Sequence, residues 1–471
     1  METQEHIYTV RAKEPTALNG LPSYPVSSSN LILSFTVDTA HVVPGLLDIP
    51  KFNAALAHTL SIYPLYTGRL VHPRTPIDHW KLRLSGDGIP VKVRHSDSCE
   101  VVEANTVVQS PWTLGERVSM VKVLSGDPSE PLMKVTVTLY PAIGYTCVGI
   151  SCAHAVGDGF TVCRFLRLLS QTYQGLASLD PYPEYAADID TPPCMQEVRK
   201  FDIPGMEQTY SLNEPPPFLD PKLETTSRVD IRFSARQLKE LKTAVLSQRP
   251  KTSDAETLFL STQDTLVALL ARCFTIADLE APPIERITYV VNARGTGSVS
   301  PNIGCNGLIW TITEPCTHTK CKPPSLYCIA LRIRESLTSG RDADFVSAMD
   351  AYCGFKYREA ADSFRGQNFT PPPGHMTVNS TYKYDWTSAH FGYLGQTQFF
   401  HTNLPAPRYV KIFQANPQIS EAGTWIKDEG MAEVTFYLHQ RTKQRFVDAL
   451  KVEAASIGVS GAIEFVDIVR Q

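Results

Sequence analysis

The sequence predicts an α/β protein in which strands and amphipathic helices occur in both halves of the chain. The segment FNAALAHTLSIYP has apolar residues at near-helical spacing and stops at Pro64. Apolar and polar residues alternate in KVTVTLY, which is the period of a strand. The second half repeats this mixture, with the helix patterns SARQLKELKTAVLS and LSTQDTLVALLARCF and the strand patterns RITYVVNAR and AEVTFYLH.

A proline-rich and acidic stretch separates the two halves. Residues 179–222 contain DPYPEY, DTPPCM and NEPPPFLDP, and such a stretch continues neither a helix nor a central strand. A chain of 471 residues usually forms two or three domains. We therefore expect an N-terminal domain over residues 1–178, a crossover linker over 179–222 and a C-terminal domain over 223–471.

Composition excludes one class of partner and indicates a compartment. The net charge is -4, the pI is near 6.3, and no run of Lys and Arg is longer than a pair, so the chain lacks the basic surface that nucleic acid requires. The N-terminal segment METQEHIYTVRAKEP has no apolar core of a secretory signal. The eleven cysteines are an odd number, which is typical of reduced thiols. These features predict a cytoplasmic protein.

Residues 135–153 carry no charge over 19 positions, a length that nominally crosses a bilayer. Pro141 and Gly144 interrupt this stretch, and the alternation before Pro141 is that of a strand. The sequence therefore predicts a buried hairpin and no membrane span.

Four residues that can bind metals lie close together: Cys316, His318, Cys321 and Cys328. Their spacing matches none of the paired C-x-x-C or histidine patterns of structural zinc sites. We expect free thiols on a loop and the following helix, and no bound metal.

The stretch SCAHAVGDGF places His154 between two predicted elements. The strand pattern YTCVGISCA precedes it, and the helix pattern FTVCRFLRLLSQTYQG, which ends at Gly175, follows it. Asp158 then occupies the N-cap of the helix, and Gly159 permits a sharp turn. From the residues alone three roles for His154 stay open: a packed imidazole, a metal ligand and a general base. The segment GISCA lacks the second glycine of G-x-S-x-G, which excludes a nucleophile elbow.

The six residues HAVGDG match the H-x-x-x-D-G motif of the BAHD acyltransferases, the acyl-CoA-dependent enzymes of plant and fungal specialised metabolism. Four other segments resemble motifs of this family, in the family's order: LSIYPLYTGRLV, LSTQDTLVALLAR, VNARGTGSVSPNIGCNG and HFGYLG. The matches cover nearly the whole chain. The long, proline-rich chain is more similar to fungal members of the family than to the plant hydroxycinnamoyl enzymes.

The chain departs from the family at the D-F-G-W-G motif. His390 replaces the aspartate, Tyr393 replaces the tryptophan, and Leu394 is inserted before the last glycine. The residues that set the backbone path of this loop are retained: Phe391, Gly392 and Gly395. We therefore expect His390 to have a structural role.

The resemblance implies two chloramphenicol-acetyltransferase-like domains with mixed sheets and an active-site channel between them. Acyl-CoA would enter from one face and an alcohol or amine acceptor from the other, with no permanently bound cofactor. His154 would be the general base in a ternary complex, because a thioester is already an activated acyl donor. Asp158 would pair with Arg294 and shape the turn that presents His154. The expected enzyme is a monomer.

The resemblance also indicates residues for two binding roles. The family stabilises the oxyanion with a hydroxyl and an aromatic N–H upstream of D-F-G-W-G, and this chain has NSTYKYD there. Ser380 or Thr381 with Tyr382 are the candidates, and an ordinary polar strand is the alternative. Lys251 and Ser253 are candidates to contact the CoA phosphates, and a solvated lysine is the alternative.

Two other functions occur on the same fold. A catalytically silent binding protein would keep the channel and lose the base, which His154 argues against. A condensation-type enzyme uses a carrier-bound substrate and has a second histidine directly before the catalytic one, where this chain has Ala153.

Overall fold

The computed structural model describes residues 5–14, 18, 22–73, 78–84, 86–98, 106–109, 114–123, 127–185, 198–212, 214, 226–250, 259–316 and 324–466. The strands in these ranges are β1 Glu5–Val10, β2 Ser23–Pro25, β3 Thr36–Pro44, β4 Arg69–Val71, β5 Lys81–Arg83, β6 Ile89–His95, β7 Met133–Tyr140, β8 Tyr145–Ala153, β9 Thr209–Ser211, β10 Thr226–Phe233, β11 Arg286–Asn292, β12 Leu308–Ile312, β13 Arg365–Gln367, β14 His375–Ser380, β15 Gln398–His401, β16 Tyr409–Gln414, β17 Gln418–Ile419, β18 Trp425–Ile426, β19 Ala432–His439 and β20 Glu464–Phe465. The α-helices are α1 Ile49–Ile62, α2 Gly159–Gln174, α3 Pro204–Glu207, α4 Ala235–Ser247, α5 Thr262–Ala277, α6 Leu326–Ser339, α7 Ala343–Asp362 and α8 Gln440–Ser456.

The first large sheet is built mainly from the N-terminal half of the chain. Its six strands lie in the order β1-β6-β7-β8-β3-β15. Strands β7 and β8 form an antiparallel hairpin in which Met133 lies opposite Cys152. Nearly every residue of both strands is buried, so the predicted buried hairpin is confirmed. Helices α1 and α2 contribute to the core under this sheet through apolar residues that include Phe52, Leu56 and Phe165.

The second large sheet is built from the C-terminal half. Its seven strands lie in the order β12-β11-β14-β16-β19-β10-β20, with both parallel and antiparallel pairs. Helices α4, α5, α6 and α8 share one core with this sheet. Phe274 of α5 packs against Phe436 of β19 and Phe446 of α8, with ring centroids 4.9 Å apart in each pair. Strands and helices are therefore mixed in both halves, as the sequence predicts.

Strand β15 does not follow the division of the chain into halves. It lies in the C-terminal half by sequence, yet it pairs with β3 of the first sheet and places His401 opposite Thr39. The core of the first sheet also includes Trp310, Tyr352 and Phe399 from later in the chain. The boundaries expected from the sequence rest on linker composition, which does not determine which sheet a later strand joins. The domain boundaries stay a prediction. The first sheet includes β15 from beyond residue 223, so the two sheets do not separate at these boundaries.

The stretch expected to be a plain crossover contains regular elements where the structure describes it. Helix α3 and strand β9 lie within it, and β9 pairs with β13. The Tyr352 hydroxyl donates to the Glu207 carboxylate at 2.6 Å and joins this stretch to α7. Residues 186–197, 213 and 215–225 lie outside the described residues.

Two other expectations concern metal and membrane sites. Cys316 is partly buried and Cys328 is exposed on α6, whereas His318 and Cys321 lie outside the described residues. Among the helices in the described part of the chain, none is both long enough and apolar enough to cross a bilayer.

Candidate active site

His154 lies in a short turn between a strand of the first sheet and a long helix. Strand β8 ends at Ala153, a 3₁₀ turn spans His154–Val156, and α2 begins at Gly159. Asp158 caps α2, because its Oδ1 accepts a hydrogen bond from the Thr161 amide at 2.9 Å. The strand, the cap and the helix that the sequence predicts around His154 are all present.

Two glycines were expected to shape this region, and the structure requires only one of them. Gly175 ends α2 with a φ of 75°, a left-handed conformation that favours glycine. Gly159 does not adopt a positive φ, and a Cβ added there would lie 3.6 Å from the Trp386 ring, which is an ordinary contact. The φ of Gly159 therefore does not itself require a glycine, and the supporting role of Gly159 at the site stays a prediction.

Asp158 forms a buried ion pair with Arg294. The two terminal nitrogens of Arg294 donate to Oδ2 and Oδ1 of Asp158 at 2.8 and 3.1 Å, and the Gly307 amide donates to Oδ2 at 3.0 Å. Burial raises the pKa of a carboxyl, but the Arg294 charge and these hydrogen bonds outweigh burial and hold the pKa of Asp158 below its usual value. The pair that the resemblance implies is present, and it joins the His154 turn to the segment after β11.

Backbone contacts hold His154, and burial sets its protonation. The His154 amide donates to the Phe35 carbonyl at 3.1 Å, and the Asn306 side-chain amide donates to the His154 carbonyl at 2.7 Å. Burial lowers the pKa of His154 below its usual 6.5, although the Asp158 charge acts in the opposite direction. The imidazole is therefore neutral at pH 7 and able to accept a proton.

His154 lies on the wall of a cavity between the two large sheets. The cavity has a volume of about 340 Å³, within the range of pockets that hold small molecules. Aromatic side chains form much of its wall: Phe35, Tyr210, Trp310, Tyr357, Phe369, Tyr384 and Tyr409. Its position between the sheets agrees with the channel that the resemblance implies.

Comparison with known proteins identifies the family. A family model described as the Transferase family matches residues 30–302, more than half of the chain. The chain belongs to the BAHD acyltransferase family. The matched segment contains both His154 and the Asp158–Arg294 ion pair.

Two curated BAHD relatives from Arabidopsis thaliana are similar over part of their length. The chain is 22% identical over 273 residues to coumaroyl-CoA:anthocyanidin 3-O-glucoside-6''-O-coumaroyltransferase 2, a match that covers 55% of this chain and 57% of the relative. It is 22% identical over 259 residues to coumaroyl-CoA:anthocyanidin 3-O-glucoside-6''-O-coumaroyltransferase 1, which covers 53% of this chain and 54% of the relative. The chain thus spans about half the length of the curated relatives that it matches.

Solved structures with the same fold match almost the whole chain. The crystal structure of F. sporotrichioides TRI101 complexed with coenzyme A and T-2 aligns with a TM-score of 0.65 at 14% identity and covers 94% of this chain and 100% of that chain. Vinorine synthase aligns with a TM-score of 0.61 at 14% identity and covers 97% and 98% of the two chains. The predicted fold, two chloramphenicol-acetyltransferase-like domains of mixed α/β structure, is confirmed.

The structure brings two of the three oxyanion candidates of this BAHD chain to the cavity. Ser380 and Thr381 line it. The Tyr382 hydroxyl instead donates to the Gly430 carbonyl at 2.8 Å, and Tyr382 is not among the residues that line the cavity. The Trp386 indole N–H donates to Oγ1 of Thr381 at 3.2 Å. Sequence reasoning missed Trp386, although a tryptophan in YDWTS close to Thr381 was an available signal.

The sequence analysis and the structure differ in which polar residues they assign to the site. Lys251 and Ser253, the candidates for contacts with CoA, lie outside the described residues. Asp38, His401 and Lys411 are among the polar residues that line the cavity and that the sequence analysis did not select. Each lies on a strand outside the motifs recognised in the sequence, so no motif marked it.

The loop of the altered D-F-G-W-G motif packs against α1 and α2. Phe391 has a φ of 49°, and Gly392 and Gly395 also have positive φ. The Phe391 ring lies 6.0 Å from the ring of Phe52, and its amide donates to Oγ of Ser170 at 2.8 Å. The retained residues therefore define the backbone path of this loop.

We expect His390→Ala to lower the melting temperature modestly and to reduce kcat by less than about tenfold. His390 accepts one hydrogen bond, from the Gly392 amide at 3.2 Å, and it is not among the residues that line the cavity. Calorimetry and steady-state kinetics of the variant measure both quantities. A loss of turnover as large as that of His154→Ala, at an unchanged melting temperature, would instead place His390 in the mechanism.

Proposed function

We propose that this chain is an acyl-CoA-dependent O-acyltransferase that acylates a hydroxyl of a small specialised metabolite, with an amine as the alternative acceptor. The observation that carries the proposal is a neutral, partly buried His154 imidazole on the wall of a cavity of about 340 Å³. Membership of the BAHD family supports acyl-CoA as the donor. We also propose that the enzyme is a cytoplasmic monomer with no permanently bound cofactor.

His154 acts as the general base of a direct transfer. Its Nδ1 is buried from solvent, so Nε2 is the nitrogen that meets the acceptor. Nε2 takes the hydroxyl proton while the acceptor oxygen attacks the thioester carbonyl carbon. The tetrahedral intermediate then expels the CoA thiolate, which takes the proton from His154. The thioester is already activated, so a covalent nucleophile is not needed.

Thr381 is the best-placed donor for the oxyanion of that intermediate. Its Oγ1 already accepts the Trp386 N–H, and its own hydroxyl proton has no acceptor among the described residues. Because Thr381 lines the cavity, this proton is available to a ligand. A hydroxyl that accepts one hydrogen bond is also a stronger donor of another.

We expect Thr381→Val to lower kcat by about 10²- to 10³-fold with a small change in the KM for acyl-CoA, because one oxyanion donor is lost. Tyr382→Phe is the matched control, since it removes a neighbouring hydroxyl that binds the Gly430 carbonyl. Steady-state kinetics of both variants test the assignment. If Ser380→Ala loses the turnover and Thr381→Val retains it, the role belongs to Ser380.

Two alternatives make different predictions for the same protein. A silent binding protein would bind acyl-CoA without releasing thiol. A condensation-type enzyme would require a carrier-bound donor, and Ala153 stands where such enzymes have a second histidine. The retained His154 and the free acyl-CoA donors of the family favour the transferase.

Thiol release from acyl-CoA in the presence of an acceptor tests the proposal. A panel of acetyl-, malonyl-, coumaroyl- and longer acyl-CoA donors is combined with a panel of alcohols and amines, and free CoA is measured with a thiol reagent. The proposal predicts release that depends on both the donor and the acceptor and that His154→Ala loses. Thiol release that does not depend on the acceptor, or no thiol release with any donor and acceptor pair, contradicts the proposal.

A further inference from the structure

Lys411 and Asp38 place an amine and a carboxyl on two walls of the cavity. Lys411 lies on β16 of the second sheet and Asp38 on β3 of the first, and both line the cavity that holds His154. The proposed transfer uses neither residue. Charged groups inside an aromatic cavity carry a desolvation cost, so their role there requires an explanation.

The Lys411 ammonium has more donors than protein acceptors. Its Nζ donates to the Thr402 carbonyl at 2.9 Å. His401 Nδ1 lies 3.4 Å from Nζ, but it also lies 2.7 Å from the Thr402 carbonyl oxygen. A ring nitrogen that close to a carbonyl carries the proton, so it does not accept from Lys411. Because an ammonium has three N–H groups, two of them have no acceptor among the described residues.

The same ammonium remains accessible and charged at neutral pH. Lys411 is only partly buried, and it keeps accessible surface where it lines the cavity. Burial lowers the pKa of Lys411 to about 8, and the Asp38 charge opposes this shift. Lys411 is therefore mainly protonated at pH 7, with N–H groups available to a ligand.

The Asp38 carboxyl lines the same cavity and is almost completely buried. The Thr36 hydroxyl donates to Oδ2 of Asp38 at 2.7 Å, whereas Oδ1 has no hydrogen-bond partner in the described part of the chain. Burial raises the pKa of Asp38 above its usual value, and the nearby Ser151 and Thr36 hydroxyls and the Lys411 charge offset only part of this effect. No direct ion pair joins Asp38 to Lys411 among the described residues, so Asp38 leaves the ammonium free to bind another group.

We propose that Lys411 binds an uncharged oxygen of the acceptor, a carbonyl or a second hydroxyl, and thereby selects acceptors that carry one. This inference rests on the proposed acyltransferase function and names the acceptor class. The aromatic wall suits the apolar body of such a molecule. We specify an uncharged oxygen because a ligand carboxylate would place a negative charge in a poorly solvated cavity, where burial already raises the pKa of the Asp38 carboxyl.

Matched alcohols that differ only in one carbonyl test this inference. The probes are p-acetylbenzyl alcohol against p-ethylbenzyl alcohol, and androsterone against its analogue without the ketone, each with acetyl-CoA. For at least one pair we expect kcat/KM of the wild type to be about 10- to 100-fold higher for the ketone, the usual effect of a hydrogen bond to a charged donor. Lys411→Met should remove this preference through the acceptor KM and leave the KM for acetyl-CoA unchanged. Lys383→Met, the same change at an exposed lysine, should keep the preference.

Several outcomes would overturn the inference. An equal loss of kcat for both members of a pair would make Lys411 an oxyanion stabiliser, and a raised KM for acetyl-CoA would make it a contact of the donor. A preference that survives Lys411→Met, or no turnover of any probe while another alcohol is acylated, would also contradict it. If no alcohol of any kind releases thiol, the proposed function itself fails.

A second variant tests the role of the Asp38 carboxyl and does not depend on the folding of Lys411→Met. Asp38→Asn removes this carboxyl, and with it any negative charge that it carries in the cavity. We expect this variant to improve the use of p-carboxybenzyl alcohol relative to p-acetylbenzyl alcohol by at least tenfold over the wild type. A wild type that already prefers the carboxylate, or an Asp38→Asn variant with unchanged preference, would show that Asp38 does not set the charge of the accepted group.

Discussion

Replacement of His154 by alanine is expected to lower kcat by about 10²- to 10⁴-fold, the usual contribution of a positioned general base. The fold should be retained, because the contacts that hold this residue come from its backbone: its amide donates to the Phe35 carbonyl, and its carbonyl accepts from Asn306. Steady-state kinetics with an accepted alcohol, together with the melting temperature, measure the two effects. His390→Ala is the matched control, a histidine outside the cavity lining.

The pH dependence of the wild type checks the same role independently. Burial lowers the pKa of His154 from 6.5, so kcat/KM should be level around pH 7 and fall only as the pH drops through that lower value. The base is lost on the acid side because the protonated imidazole cannot accept a proton. His154→Gln should lack this acid limb. Near-normal turnover of His154→Ala on a genuine acceptor would remove His154 from the mechanism.

Breaking the Asp158–Arg294 pair is expected to cost about 3–5 kcal/mol of the free energy of unfolding, because each single substitution leaves the other charge buried and unpaired. Both side chains are almost completely buried, at 0% and 4% exposure. Asp158→Asn and Arg294→Ala should each lose folded yield and activity, and the double variant should lose less than the sum of the two. Denaturant unfolding of the three variants measures this coupling.

The lowered pKa of Asp158 determines how the stability contributed by its ion pair depends on pH. Its pKa is held below the ordinary 3.8, so the carboxylate contributes stability above that value and loses it as the pH falls through the lower pKa of the folded state. The stability difference between wild type and Asp158→Asn should therefore be full at pH 7 and shrink only in strong acid. Strictly additive losses in the double variant would show that the two side chains act independently.

The part of the site that could be predicted is the part that neighbouring residues specify. The strand before His154, the cap at Asp158 and the helix end at Gly175 each depend on a few adjacent residues, and the structure contains all three. The pairing with Arg294 required a resemblance, because its two partners are 136 positions apart.

The walls of the cavity depend on packing that no local pattern encodes. Lys411 and Asp38 lie on strands of different sheets, and His401 reaches the cavity because β15 joins the first sheet. Tyr382 was a reasonable aromatic donor from its position, but the backbone places its hydroxyl on the Gly430 carbonyl. Trp386 contacts Thr381 instead, through a turn whose path the sequence does not reveal.

The fate of a labelled acyl group distinguishes direct transfer with His154 as the base from every other route. Wild-type protein is incubated with carbon-13 acetyl-CoA and an alcohol that releases thiol in the acceptor screen, and the products are counted by mass spectrometry. Direct transfer predicts one labelled ester for each free CoA, no labelled protein during turnover, and neither product with His154→Ala. Free CoA without a labelled ester, or a labelled protein that passes its acetyl group to the alcohol, would contradict direct transfer with His154 as the base.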